Sequence, residues 1–447
     1  MSAVLSPTVR GLGRISLPLM LTALSANFMF LLDRLILAHY SIEAMNAVAT
    51  AGMSCAIFQF GGIAIASIAE VFVGQHNGAG NFKKTPEPVW QMIWFSLSLF
   101  FVFWPIAIWG GPFLLPPSLY NEGINFFWWV MMFGPLMSVI AAISAFFIGR
   151  GFVKLVTWTT LAGNTLNAIL NVILIFGIED YIPSMGTEGS AIATVSSQIF
   201  QVIVLTVVFL NKHNRETYHT HKCHINTSTL WNCLKVGTPA SINHMIEIAA
   251  WAALFWITAQ VGSDCVTIQT IGNSTFIFFA FVTDGIHKGV IAIASNLIGA
   301  QKEQLISKLL FSGFKFHCIY MSFFAIPLVL YPDFIVHQFL PEIKDSQTFL
   351  FQDSIRVLRF IWIFFAFDGM VWVLTGILTA GGDTRFIMII NATGAWILAI
   401  LPIYAAIHYF NVRPSSAWGL CIVYAIGNCI AFFIRYKSDQ WKHKIMG

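Results

Sequence analysis

ISLPLMLTALSANFMFLLDRLILA, residues 15–38, is the stretch on which the reading of this chain turns. Its apolar run is long enough to cross a bilayer, which takes roughly 20 residues. A cleaved signal peptide would have a shorter core and small residues before a cut site. This stretch instead carries Asp33 and Arg34 inside it, and many similar stretches follow. It therefore reads as the first of a series of membrane spans.

The rest of the chain agrees. Of 447 residues, 57% are hydrophobic and 10% are charged, against roughly 25% charged in soluble domains. That composition excludes a water-soluble enzyme and a disordered chain. A net charge of +4 without basic tracts speaks against nucleic acid as a partner. The cysteines at 55, 223, 233, 265, 318, 421 and 429 follow no disulfide or metal spacing and read as small apolar fillers.

Counting apolar stretches predicts about 12 transmembrane helices, near 15–38, 46–73, 88–110, 123–148, 154–178, 189–211, 230–261, 266–298, 305–331, 348–379, 384–408 and 415–436. With both termini in the cytoplasm, most Lys and Arg fall inside, among them Arg10, Arg14, Lys83, Lys84, Arg150, Lys154, Arg215, Lys302, Arg435 and Lys444. Glu43, Glu122, Asp180, Asp264, Asp333, Glu342 and Asp345 fall outside, with Lys344 and Arg413 as basic exceptions. The loop 211–229 divides the chain into expected lobes 1–225 and 226–447.

The halves repeat. Pro18 in SLPLM pairs with Pro239 in GTPAS, and Gly78-Ala79 in QHNGAGN with Gly299-Ala300 in NLIGAQK, both at the same spacing. GRGFVK at 149–154 resembles AGGDTR at 380–385. Six spans per half give a parallel repeat, a design common among secondary transporters.

Charges buried in a bilayer cost about 2.5–3.5 kcal/mol each on insertion scales, so those present call for a reason. Asp33 shares a helical stripe with Thr22, Ser25 and Ala26. The fifth span carries Thr160, Gly163, Asn164, Asn167 and Asn171 in the same rhythm, and the sixth carries Thr194, Ser197, Gln198 and Gln201. Hard oxygens of this kind suit a sodium ion, or a proton on Asp33; the plainer alternative is interhelical hydrogen bonding. In the second half, Glu247 has Asn243, His244 and Trp251 one turn away, and Asp368 has Phe364 and Trp372. An acid flanked by aromatics suits a proton carrier or an organic cation. Asp284 and Lys288 are spaced to form an ion pair, with proton relay or gating as the alternative. His213, His219, His221, Cys223 and His224 match no zinc signature and read as a solvated loop. No GxxxxGK[ST], HExxH or GxSxG occurs.

LLDRLILAHYS, VGQHNGAGN, LNAILNVILIFG, GTEGSAIATVSSQ, GTPASINHMIE, NLIGAQ and FDGMVWVLTGILTAGGDTR, in this order, resemble the multidrug and toxic compound extrusion (MATE) transporters over essentially the whole chain. The resemblance implies two pseudo-symmetric six-helix bundles around a central cavity. It implies efflux of organic cations and drugs in exchange for protons or sodium. Asp33 occupies the place of the family's essential first-span aspartate, and Asn167, Asn171 and Thr194 match positions around it. Some members have an aspartate where this chain has Asn171. Glu247 and Asp368 match the acidic pair of the sodium-coupled bacterial branch.

The expectation is an all-α polytopic inner-membrane antiporter, monomeric in the lipid bilayer, without catalytic residues, cofactor or resident metal. Its ion and substrate residues are Asp33, Asn167, Asn171, Thr194, Gln198, Glu247 and Asp368, with Asp284, Lys288, Asn164 and His244 as secondary candidates. The alternative is a lipid or lipid-linked oligosaccharide flippase, which would favour a basic cavity. An intramembrane enzyme built on His244 and Glu247 and a passive channel are the readings from other classes.

Overall fold

The computed structural model describes residues 4–179, 181–340, 348–410, 412–413 and 415–442, and the side chain of Ser263 is not described. Asp180, Glu342, Lys344, Asp345 and Lys444, which the charge pattern assigns to one side or the other, lie outside these residues. Among the described residues twelve helices are long and apolar enough to span a bilayer: α1 Val9–Tyr40, α2 Ile42–Gly78, α3 Phe82–Trp109, α4 Pro117–Ile148, α5 Val153–Phe176, α6 Gly186–Phe209, α7 Thr227–Ala259, α8 Asp264–Gly299, α9 Glu303–Leu330, α10 Phe349–Ala380, α11 Thr384–Phe410 and α12 Ser416–Lys437. Each expected stretch is present as a helix. Several run past the apolar stretch that marks them, because a helix continues until its backbone is capped, not until hydrophobicity ends.

Their irregularities have local causes. α4 is interrupted at Phe133–Gly134, just before Pro135 restarts the helix as its first residue. α9 ends in a π turn over Ile326–Leu330 containing Pro327, and α11 widens likewise over Ala395–Ile400 just before Pro402. A proline lacks the N–H that would close a regular turn, and a wider turn accommodates that loss. Pro18 and Pro239, the repeat-related pair, both sit inside continuous helices.

The chain forms two compact units. The first holds Leu21–Ser241 and Ser295–Gln301; the second holds Leu5–Met20, Ile242–Ala294 and Lys302 onward. Relative to a division at 225/226, the beginning of α1 belongs with the second unit and the beginning of α7 with the first. Each unit is closed by glycines that let backbones approach. In the second, the start of α1 lies on α8, where a Cβ on Gly289 would meet Ser16 and one on Gly285 would meet Met20. In the first, the start of α7 lies on α2, where a Cβ on Gly237 would stand 3.1 Å from the Ile65 Cα and carbonyl oxygen.

The first unit also holds a reciprocal contact. A Cβ on Gly78 would strike the carbonyl of Asn296, and a Cβ on Gly299 would strike the carbonyl of Gln75. Asn296 Nδ2 donates to the Gly74 carbonyl at 3.3 Å. Gln75 and Asn296 stand at the same spacing as Gly78 and Gly299, so equivalent residues of the two repeats exchange equivalent contacts, the signature of a local two-fold relation.

The loop between the halves is mostly exposed, as expected of a solvated loop, and is also anchored to the first unit. Its short helix Lys212–Tyr218 starts with Asn211 capping Asn214 N–H. Tyr218 lies under Arg150, whose guanidinium is 3.7 Å from the ring centroid and 4.4 Å from that of Phe146. Burial draws that guanidinium below its ordinary pKa, with Tyr218 opposing. Beyond it, Trp90 Nε1 donates to the Thr220 carbonyl at 2.8 Å, Gln91 Nε2 to that of His224 at 3.1 Å, and Trp94 Nε1 to that of Cys223 at 3.0 Å. Glu87 accepts from Asn226 Nδ2 and Thr229 Oγ1, both at 2.6 Å. The loop is strapped to the first unit through its backbone, and among the described residues its histidines build no metal cluster.

Candidate functional site

In the first unit the polar stripe of α1 meets that of α5. The two helices meet at three points between residues 22 and 33 of α1. Thr22 Oγ1 donates to Thr157 Oγ1 at 3.0 Å, Asn164 Nδ2 to Ser25 Oγ at 2.8 Å, and Asn171 Nδ2 to Asp33 Oδ1 at 2.5 Å. Three donor–acceptor pairs in the same order on both helices mean that α1 and α5 run parallel here. The polar period of each helix places all three pairs on the shared seam.

Asn167 joins the last of these pairs and ties it to α6. In one orientation its amide oxygen accepts from Asn171 Nδ2 at 3.0 Å and its nitrogen donates to Thr194 Oγ1 at 3.3 Å. Turned over, its nitrogen donates to Asp33 Oδ1 at 3.1 Å, and its oxygen accepts from the Thr194 N–H at 3.1 Å and hydroxyl at 3.3 Å. Thr194 Oγ1 in turn donates to the Ser190 carbonyl at 3.0 Å. Asp33, Asn167, Asn171 and Thr194 are thus one connected group across α1, α5 and α6. Among the described residues no cationic side chain pairs with Asp33, and Arg34, its neighbour in sequence, is exposed.

Gln198 stands one turn beyond Thr194. Its Oε1, like Asn171 Oδ1 and Ser190 Oγ, is buried with no hydrogen-bond partner. Such oxygens are costly unless a donor or a cation visits them. The glycines of the seam explain the closeness of α5 and α6: a Cβ on Gly189 would stand 2.6 Å from the Leu174 carbonyl, and one on Gly163 2.5 Å from Gln201 Nε2. Asn164 belongs to the α1–α5 seam through Ser25, one step removed from the Asp33 group.

In the second unit, Glu247 of α7 and Asp368 of α10 line one cavity of ≈ 60 Å³, room for a few waters or a small ion. Trp251, Phe276, Phe364, Trp372 and Tyr424 supply much of its wall. The Trp251 and Phe276 rings pack 5.2 Å apart, and Phe276 and Phe364 pack edge to face at 5.7 Å. Trp372 Nε1 donates to Asp368 Oδ2 at 2.9 Å. His244 Nδ1 lies 3.8 Å from Glu247 Oε2, one turn away on α7. Asp284 and Lys288 form their expected pair on α8, with Nζ at 2.8 Å from Oδ2. None of His244, Asp284 and Lys288 lines the cavity.

Two residues that the sequence did not mark stand behind Asp368. His287 Nδ1 donates to the Trp372 carbonyl at 2.9 Å, and His317 Nε2 donates to the Phe365 carbonyl at 2.9 Å. Both bond backbone, so no side-chain pattern announces them. The one available signal was Gly369: its missing Cβ is filled by the His317 ring.

The comparisons agree with this architecture. The MatE family model matches residues 18–173 and 239–405, two segments whose starts coincide with the paired prolines of the repeat. The probable multidrug resistance protein NorM of Thermotoga maritima is 22% identical, over 92% of this chain and 88% of its own length. The probable multidrug resistance protein YoeA of Bacillus subtilis is 22% identical, over 86% and 83%. Among solved structures, MATE in its straight conformation superposes with a TM-score of 0.84 at 15% identity, covering 99% of both chains. The eukaryotic MATE transporter AtDTX14 superposes with 0.81 at 16% identity over 96% of both. Two copies of the family model on twelve spans leave one conclusion: the chain belongs to the MatE family, the multidrug and toxic compound extrusion transporters.

Proposed function

We propose that this protein is a cation-coupled antiporter that exports organic cations and drugs in exchange for protons or sodium. The observation that carries this reading is Asp33: a carboxylate inside a span, held by amide donors, with no cationic side chain paired to it among the described residues. Structural carboxylates in membranes are paired, so one left with amides alone is suited to a mobile cation. Glu247 and Asp368 on one aromatic-walled cavity are a second such place, and aromatic faces beside acids also suit an organic cation. The names of the bacterial relatives point to drugs as cargo.

In the proposed cycle, an ion entering from outside binds Asp33 or the Glu247–Asp368 pair and displaces the cationic drug outward. The two units, acting as the two lobes, then expose the ion to the cytoplasm. One charge moving inward across 100 mV supplies about 2.3 kcal/mol, enough for a roughly fifty-fold gradient. In this reading both termini face the cytoplasm and the protein works as a monomer in a bacterial inner membrane.

The test is accumulation of a fluorescent cation in proteoliposomes under proton or sodium gradients imposed one at a time. Gradient-driven accumulation that Asp33→Asn abolishes is the expected result. Accumulation unchanged in Asp33→Asn would overturn the role of that residue, and equilibration without ion dependence would indicate a channel. Ion-independent translocation of a labelled lipid would favour the flippase.

A further inference from the structure

The cavity of the second unit has a donor in it that the acid pair does not require. Trp372 lies one helical turn after Asp368 on α10, and its indole N–H occupies Asp368 Oδ2 at 2.9 Å. The indole lines the cavity as well, so the same side chain is both wall and hydrogen-bond donor. Its backbone is itself held: His287 Nδ1 on α8 donates to the Trp372 carbonyl at 2.9 Å, and the imidazole meets the indole edge to face at 4.8 Å. Two turns back, His317 on α9 holds the Phe365 carbonyl at 2.9 Å and fills the space beside Gly369. A carbonyl only accepts, so each bonded ring nitrogen carries the hydrogen. The acid is thereby bracketed on its helix by two histidines from neighbouring helices, one of which also packs against the indole.

We propose that Trp372 is the residue that tunes ion affinity in the second unit: its N–H competes with the coupling ion for Asp368, so that the ion is held weakly enough to be released. His287 is a positioning residue that keeps Trp372 in this role. The proposal rests on the reading of Asp368 as an ion site. Its physical content is simple. A carboxylate oxygen that accepts a charge-assisted hydrogen bond offers less electron density to an ion, and part of the bond must be given up when the ion arrives. Such bonds are strong enough to change affinity roughly tenfold or more. Release matters in a transporter as much as binding, because an ion held too tightly stalls the cycle.

Other groups around Asp368 also titrate or carry charge. Glu247 on α7 and Tyr424 and Cys421 on α12 share its cavity, His287 and the Asp284–Lys288 pair lie on α8, His317 lies on α9, and His244 lies beside Glu247. The experiment therefore changes Trp372 alone. Full-length protein is reconstituted in proteoliposomes, and the rate of ethidium export is measured against the concentration of the driving ion, sodium or proton. Trp372→Phe keeps the aromatic wall and removes the N–H. The expected result is a half-saturating ion concentration lowered roughly tenfold together with a reduced maximal rate. A structural role would lower the rate and leave the half-saturation point where it was, and that result overturns the proposal.

Should Trp372→Phe fail to insert, benzothienylalanine at 372 replaces the N–H by sulfur at nearly equal shape and must give the same shift. His287→Phe should move the half-saturation point in the same direction and by less. Asp368→Asn separates the two claims. If it retains the wild-type ion dependence, Asp368 is not an ion site and the underlying reading fails. If it loses ion-driven export while Trp372→Phe leaves the half-saturation point unchanged, only the present inference fails.

Discussion

Asp33 and Asn171 approach more closely than any other side-chain pair of the first cluster, at 2.5 Å. Removing that donor tests how the carboxylate is held. Asn171→Ala should cut ion-driven export tenfold or more, since a hydrogen bond to a charged group is worth about 1.5–3 kcal/mol, while the amount of protein in the membrane stays unchanged. The measurement is initial rate per inserted transporter. The Asp33 group was legible in the sequence because each member recurs at helical spacing on its own span, so that apolar surroundings made the stripes plain. Which stripes would face one another was not legible; spacing gives a face but no partner. The opposite happened around Asp368. The acid stood out, but His287 and His317 act on backbone carbonyls, and every residue has a carbonyl. Lys288 and Asp284 formed the pair that their i, i+4 spacing predicted.

Several helices of this protein meet where a Cβ is missing. Gly78 and Gly299 press against backbone, which cannot rotate away as a side chain can. Gly299→Ala should therefore destabilise by about 2 kcal/mol or more, read as a lowered melting temperature in detergent. Gly80→Ala makes the control: nothing lies within 4 Å of it, and only its φ of 73° resists a side chain, a cost of about 1 kcal/mol. The strapped loop makes a second test. Arg150→Ala removes the cation that covers Tyr218, a contact worth about 1–2 kcal/mol when desolvated. The short helix Lys212–Tyr218 should then open more often, and trypsin should cut at Lys212 and Arg215 faster than in the wild type. Most histidines and charges of this loop are exposed, as their sequence suggests. Its anchors are two tryptophans, a glutamine and a glutamate on α3, polar residues at a span end that ordinarily read as bilayer-interface residues.

On the scale of the whole molecule, twelve spans follow from length and hydropathy alone, and the superposition on MATE structures at 15% identity shows how little of the fold depends on particular side chains. The charge pattern makes a checkable statement about sidedness. Cys223 is exposed and lies in the strapped loop, on the face where Lys and Arg collect. A membrane-impermeant maleimide should label it in inside-out vesicles and leave it unlabelled in right-side-out ones; the reverse would invert the proposed topology. What hydropathy does not reveal is the exchange of segments between units, because hydropathy marks a span and says nothing of the neighbours it packs on.

That exchange bears on how the molecule is made. The first unit is not complete at the loop after the sixth span, since Ser295–Gln301 belongs to it. During synthesis the early spans must therefore wait in the bilayer, with the glycine faces of Gly74–Gly78 uncovered, until the end of α8 has left the ribosome. Biogenesis of the first unit thus depends on translation well into the second half of the chain.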